Sequence, residues 1–252
     1  MRPNKVRQKW EQGKAASNFW LSSDSSVVAE FAAHLGYDSI TVDAQHGFSD
    51  NSDMLGMIQA MAATSSIPFV RLRWNEPGQI MRALDAGAYG LICPMVNSAD
   101  DARHLIQYAK YPPYGERSWG PHRAILYSGS DYRHEIDETV IVLPMIETKA
   151  GYTELDSILE VDGIDGVYVG PSDLALSLGF QPVADTQEPK VWAAIEDIAN
   201  RANAANKKCA IFCGSVAMAR RARDMGFHLV TVTGDIGSMV SAAGAALAEF
   251  EK

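Results

Sequence analysis

The chain is poor in cysteine, in positive charge and in long apolar runs, and each shortage closes off a class of protein. It has three cysteines in 252 residues, Cys93, Cys209 and Cys213, each in or beside an apolar run. An odd count with no secretory segment speaks for reduced structural thiols in a cytoplasmic protein and against a disulfide framework. Cys209 and Cys213 also lack the tight spacing and histidine partners of a zinc site. The net charge of −9 argues against a nucleic-acid surface, which needs a basic stripe. A small anionic ligand stays open, because a few local arginines can oppose the global sign. No apolar stretch approaches the ~20 residues of a membrane-spanning helix. The basic start, Met1 to Trp10, is not followed by the apolar segment of a secretory signal.

What is present is an alternation. Short apolar runs predict strands at 17–21, 39–42, 69–72, 90–94, 141–146, 166–169, 209–212 and 229–232. Helical patterning fills 26–35, 50–63, 77–86, 99–108, 152–160, 189–206, 216–225 and 236–250. Ser98 ahead of Asp100 and Asp101 supplies a cap and negative charge for a helix start. Pro77 suits a first helical turn. Gly36, Gly87 and Gly226 close helices before the next strand. Alternating β and α predicts a parallel sheet, and about eight strands in ~250 residues predict one α/β domain over 1–252, a (β/α)8 TIM barrel. The apolar share of 47% is enough to fill its core. An open doubly wound sheet usually has a glycine-rich turn after its first strand; here that turn is Ser22-Ser-Asp-Ser-Ser26. No linker, low-complexity tract or internal repeat divides the chain. One connection, from Lys110 to about Thr139, is unusually long, and such loops are usually functional.

In a parallel barrel the C-terminal strand ends share one face, where chemistry is done. Two carboxylates stand at such ends. Glu147 closes the apolar run 140–146, and Asp173 closes 166–172. Either alone could serve as a helix cap. Together, with no cysteine or histidine beside them, they suit a hard divalent cation, Mg²⁺, Mn²⁺ or Co²⁺, with positions left for water and a chelating substrate. Gly170-Pro171-Ser172 is a tight strand-to-helix turn whose N–H groups, with those opening the next helix, could receive a carboxylate or phosphate.

Asp43 and His46 stand in Val42-Asp-Ala-Gln-His-Gly47. A carboxylate that orients an imidazole makes a competent general base. A turn aspartate beside an exposed loop histidine is the equal alternative. Arg71 lies in Phe69-Val-Arg-Leu-Arg73, and Arg73 shares its strand parity. An arginine in an apolar run is either functional or paired. Its fork suits a substrate carboxylate or a developing enolate oxygen, or an ion pair with a strand-end carboxylate such as Asp43. No lysine interrupts an apolar run. Lys207 and Lys208 lie at the entry of the seventh strand, and Lys149 sits just past Glu147. An imine-forming aldolase needs a lysine inside the barrel, so that mechanism is disfavoured.

Taken together, Val42-Asp-Ala-Gln-His-Gly47, Val70-Arg-Leu-Arg-Trp-Asn-Glu-Pro77, Asp85-Ala-Gly-Ala88, Pro94-Met-Val-Asn97, Tyr111-Pro-Pro113, Ile146-Glu-Thr-Lys149 and Gly163-Ile-Asp-Gly-Val-Tyr-Val-Gly-Pro-Ser-Asp-Leu174 resemble the HpcH/HpaI aldolase family. These are metal-dependent pyruvate aldolases on a phosphoenolpyruvate/pyruvate-type barrel. The resemblance runs from about Trp20 to Gly234. It implies that Glu147 and Asp173 ligate the divalent cation, that Arg71 touches the pyruvate carbonyl or enolate oxygen, and that His46 paired with Asp43 is the acid/base. It implies that the Ser172 N–H, in the Gly170-Pro171-Ser172 turn, receives the pyruvate carboxylate. Trp20 belongs to the substrate pocket. Asp85 approaches a neighbour's site in a homo-oligomer, often a hexamer, whose last helix is exchanged between paired subunits. Some members differ where this chain has Met145 and Gln45, and across 119–124.

The residues and the resemblance converge on a carbon–carbon lyase, a class II aldolase. It would cleave a 4-hydroxy-2-oxo acid reversibly to pyruvate, or hydroxypyruvate, and an aldehyde. Small-molecule 2-oxo acid and aldehyde are its partners, with no role for nucleic acid or membrane. The long loop is expected over the aldehyde end, with His122 and Arg123 as contacts. Phe212 shapes that pocket or simply fills core. The alternatives are an oxaloacetate decarboxylase, a coenzyme A ester lyase of the same superfamily, or a non-catalytic barrel.

Overall fold

A computed structural model describes residues 1–252. Eight strands close into a barrel: β1 (Ala16–Leu21), β2 (Ser39–Asp43), β3 (Ile67–Arg71), β4 (Gly90–Cys93), β5 (Ile141–Ile146), β6 (Gly166–Val169), β7 (Lys208–Ile211) and β8 (Leu229–Gly234). Every neighbouring pair is parallel, including β1 with β8. A short helix, α1 (Lys5–Glu11), precedes the barrel. After β1 to β4 come α2 (Ser26–Ala33), α3 (Asn51–Met61), α4 (Pro77–Asp85) and α5 (Ala99–Ala109). Two helices, α6 (His122–Ser128) and α7 (Tyr132–Thr139), stand before β5. Then follow α8 (Lys149–Thr153), α9 (Leu155–Leu159), α10 (Pro171–Ser177), α11 (Pro189–Ala204), α12 (Val216–Asp224) and α13 (Asp235–Phe250).

The caps act where the sequence places them. Ser98 accepts the Asp101 N–H at 3.1 Å to open α5, and Pro77 is in the first turn of α4. The helix expected over 152–160 is instead two short ones. Thr148 caps α8 directly after Glu147, and the chain leaves helical geometry at Glu154. The strands are apolar because both faces are covered, and β2 and β5 are buried throughout. Inside the barrel a polar cluster is buried and bonded, as buried polar groups require. Asn18 donates to Thr231 at 2.9 Å and accepts the hydroxyls of Ser39 and Thr41, each at 2.9 Å. Tyr168 and Thr231 share a hydroxyl bond of 2.7 Å.

Helix α1 lies in the stretch whose sequence reads only as a basic start. It closes the N-terminal end of the barrel, with Trp10 donating to the His228 carbonyl at 2.7 Å and Asn4 to the Thr139 carbonyl at 2.9 Å. The long connection 110–139 lies at this same end, which corrects the expectation that it covers the aldehyde. It leaves the C-terminus of α5 and enters the N-terminus of β5. Both termini are at the N-terminal end because the helices run back against the strands. The Arg2 N–H donates to the Ser128 carbonyl at 2.7 Å, tying α6 to that end.

The last helix, α13, has no buried residue. Met239, Val240, Leu247 and Phe250 are exposed along it, Phe250 by 88%. A groove of about 250 Å³ on the barrel wall, lined by Ala16, Val230, Val232 and Ala219, is not covered by it. All three cysteines are buried and free. No helix is long and apolar enough to cross a membrane.

Candidate active site at the C-terminal end of the barrel

Strand ends bring Trp20 from β1, Asp43 from β2, Arg71 from β3, Glu147 from β5, Gly170 from β6 and Phe212 from β7 to one face. Register sets the first pair: Asp43 is opposite Arg71 between β2 and β3. Arg71 grips Asp43 with two bonds, Nε to Oδ1 at 2.8 Å and Nη2 to Oδ2 at 2.5 Å. The backbone N–H groups of Gln45 and His46 also donate to Oδ1, each at 3.1 Å. The Trp20 indole N–H donates to Oδ2 at 3.2 Å. Burial by itself would raise the Asp43 pKa; Arg71, the His46 N–H and Trp20 outweigh it and hold the carboxyl below its ordinary value.

This arrangement corrects the expected Asp43–His46 pair. Only the backbone of His46 reaches Asp43; its ring is exposed and makes no bond to that carboxylate. The ion pair with Asp43, one of the two readings open for Arg71, is the one that forms. Arg71 keeps a free edge, since Nη1 makes no protein hydrogen bond while its guanidinium lies 4.9 Å from the Trp20 ring centre. Arg73 instead donates to the Ser49 carbonyl at 3.0 Å.

Glu147 is only 2% exposed. Its Oε1 accepts one bond, from the Met95 N–H at 2.7 Å. Burial pushes its pKa up to about 7 and the charge of Asp173 adds to the rise, against the pull of Met95 and Arg71. Asp173 is exposed in the first turn of α10, behind Pro171. Gly170 makes room for the glutamate: a Cβ there would stand 2.6 Å from Oε2. Glu147 and Asp173 thus offer hard oxygens at a crowded, under-neutralised place, which fits a divalent cation. No cluster of three or more histidine, cysteine, aspartate or glutamate side chains forms. Water and substrate would have to complete the shell.

Phe212 is half-buried and meets Trp20 edge-on, with ring centres 5.2 Å apart. Both line a cavity of about 590 Å³ with Ser22, Ser215 and Thr233. A hollow of about 640 Å³ at the opposite end, beside Gln107 and Tyr114, contains none of the residues above. Ser172, just past the Gly170-Pro171 turn, is half-buried.

Two expected contacts lie elsewhere within this chain. Arg123 donates to the carbonyls of Ala86 and Ile58, at the C-terminal ends of α4 and α3, and so sits at the N-terminal end of the barrel. His122 opens α6 and is exposed. Asp85 ends α4, again at the far end, and accepts a bond of 2.8 Å from the fully buried Arg117. The part of the site absent from sequence reasoning is Met95, which contributes a backbone N–H that no side-chain pattern reveals.

Comparison with known proteins agrees with the barrel fold. The family model described as HpcH/HpaI aldolase/citrate lyase matches residues 16–242. The chain is 44% identical over 246 residues to a hydroxypyruvate/pyruvate aldolase of Rhizorhabdus wittichii, covering 98% of each. It is 36% identical to a 4-hydroxy-2-oxo-heptane-1,7-dioate aldolase of Salmonella dublin, covering 98% of this chain and 94% of that one. Among solved structures, an HpcH/HpaI aldolase/citrate lyase family protein from Burkholderia cenocepacia superposes with a TM-score of 0.91 at 32% identity, over 99% of this chain and all of that one.

Proposed function

The chain belongs to the HpcH/HpaI aldolase/citrate lyase family, and on that premise we propose that it is a divalent-metal-dependent aldolase. It cleaves a 4-hydroxy-2-oxo acid reversibly to pyruvate, or hydroxypyruvate, and an aldehyde. The observation that carries the reading is Glu147: a buried strand-end carboxylate with one hydrogen bond, its pKa raised, beside a second carboxylate. Glu147 and Asp173 would hold the ion. A bound Mg²⁺, Mn²⁺ or Co²⁺ supplies Lewis-acid polarisation of the 2-oxo group.

The remaining work falls to the chain. The free edge of Arg71 faces the oxygen on which enolate charge develops, and Asp43 and Trp20 fix its orientation in advance. Pro171 has no N–H, so the Ser172 N–H is the first donor that helix α10 offers to a substrate carboxylate. His46 stands exposed on the rim past β2, placed to take the C4 hydroxyl proton directly or through water, without help from Asp43. Trp20 and Phe212 wall the aldehyde end. Hydroxypyruvate is admitted as readily as pyruvate unless a group rejects the added hydroxyl.

The proposed oligomer is supported by α13, which buries none of its residues alone. A hexamer with α13 exchanged between paired subunits would cover it and carry Asp85 toward a neighbour's site. The three reduced, buried thiols fit the cytoplasm.

The test is pyruvate release from a racemic 4-hydroxy-2-oxo acid by chelator-treated protein, before and after Mg²⁺, Mn²⁺ or Co²⁺. Release restored by metal and missing in Glu147→Gln supports the aldolase. Release indifferent to chelator removes the two-carboxylate site.

A further inference from the structure

Two non-glycine residues have a left-handed backbone, Met95 at φ 57° and Asn206 at φ 56°. Asn206 follows α11, where asparagine tolerates that geometry. A methionine gains nothing from it. Such a residue persists only where its surroundings over-determine it, and such places cluster at functional sites.

The surroundings of Met95 form a closed ring. Its N–H donates to Glu147 Oε1 at 2.7 Å. Its carbonyl accepts the Asn97 side-chain amide at 3.0 Å. The Asn97 side-chain Oδ1 accepts the hydroxyl of Thr148, and Thr148 is the residue after Glu147. Thr148 in turn accepts the Gly151 N–H at 3.0 Å and so opens α8. The Asn97 N–H is tied to Asp101 at 3.0 Å, in the first turn of α5. A Cβ on Gly151 would lie 2.6 Å from the Val96 carbonyl, so the two loops meet as closely as glycine permits. Asparagine suits the bridge because its amide donates at one end and accepts at the other.

We propose that the Met95–Asn97 segment is a strut that aims Glu147 at its cation. The Met95 N–H pins Oε1, and Oε2 packs against Gly170, so the plane and direction of the carboxylate are fixed before the ion arrives. Asn97 is a positioning residue: it sets metal affinity without touching the metal. The inference rests on the metal site proposed above, though not on the identity of the aldehyde. Groups that orient a metal ligand from behind typically change affinity by about 10- to 100-fold when removed.

The experiment measures Mn²⁺ dissociation constants from the free-ion electron paramagnetic resonance signal, on stripped full-length protein at neutral pH. Thermal melting with and without Mn²⁺ runs in parallel. Asn97→Ala should raise the dissociation constant about tenfold and shrink the Mn²⁺-induced rise in Tm, while the metal-free Tm stays close to wild type. In a Glu147→Ala background the same change should have less than about a twofold effect, because its route to the ion is gone. Thr148→Val cuts the ring at a separate bond and should weaken binding in the same direction, which keeps the test decisive if Asn97→Ala folds poorly. Unchanged affinity in both variants, or a loss that survives in the Glu147→Ala background, overturns the strut alone. Wild-type protein that binds Mn²⁺ no better than Glu147→Ala overturns the metal site itself, and the strut with it.

Discussion

Asp43 ends β2 and Glu147 follows β5; both are buried carboxylates at the C-terminal end of one barrel. Five donor groups surround Asp43, two from Arg71, two from backbone and one from Trp20. Glu147 has a single backbone N–H and a second carboxylate for company. Burial opposes charge on both, yet Asp43 is held low and Glu147 is pushed up to about 7. The difference lies in the partners, not in the depth. Asp43 has its cation within the fold. Glu147 has none, and the proposed function gives it one from outside.

The largest expected break is Glu147→Gln. It should lower kcat/KM with saturating Mg²⁺ by about 10³-fold, or about 4 kcal/mol of transition-state stabilisation. Folding without metal should be no weaker than wild type, because the variant removes an under-neutralised buried charge. Activity within tenfold of wild type would dissolve the contrast with Asp43.

Asp43→Asn tests the other side. It leaves the Arg71 guanidinium buried without its counter-charge and should cost about 3–5 kcal/mol of stability, read by chemical denaturation. Asp43→Asn with Arg71→Met should recover part of that loss. A single variant as stable as wild type would mean that the pair is not structural.

The pH dependence of metal-free stability sharpens the comparison by sign. Glu147 has a raised folded pKa, from 4.5 to about 7. Its contribution is therefore fully present below 4.5 and is lost as pH rises through about 7, up to about 3 kcal/mol. Asp43 has a lowered folded pKa, so its contribution is present above 3.8 and is lost as pH falls below that. Denaturant melts of stripped protein between pH 4.5 and 7.5 should show the Glu147 decline. Mn²⁺ at about 100 times its dissociation constant should restore about 2.7 kcal/mol at the upper end. A flat profile that Glu147→Gln does not alter would count against the raised pKa.

Trp20→Phe is the smallest of these changes. It keeps a ring beside Arg71 and Phe212 but removes the indole N–H from Asp43, at about 1 kcal/mol of stability. If Trp20 positions Arg71, kcat should fall more than KM rises. A pure KM effect would make it only a wall of the pocket.

Much of this site was readable from local pattern. Glu147 and Asp173 close apolar runs, and such runs in alternation with helices define strand ends in a barrel. The ion pair of Arg71 with Asp43 was one of two open readings, because an arginine in an apolar run demands a partner without saying which. The Asp43–His46 pair failed for the same reason: neighbours in sequence compete with a cross-strand guanidinium, and the guanidinium makes two charged bonds. The position of 110–139 was available from element order alone, since a segment joining a helix end to the next strand start lies at the N-terminal end. Its length suggested function and drew attention from its topology. Helix α1 was hidden because its seven residues bury only Val6 and Trp10, too few to set a period.

The sequence by itself determined the eight-strand alternation, the barrel and the two strand-end carboxylates. Each depends on side-chain chemistry repeated along a few neighbouring residues. Tertiary structure alone decided which groups meet: Arg71 with Asp43 across β2 and β3, Met95 with Glu147 across β4 and β5, Trp20 with Phe212 across the mouth. Those contacts join residues from 28 to 192 positions apart, brought together by strand register and barrel closure. The physical reason is that pairing energies act through space. They therefore choose between a buried anion already neutralised and one left with a single backbone donor, a choice no local pattern records.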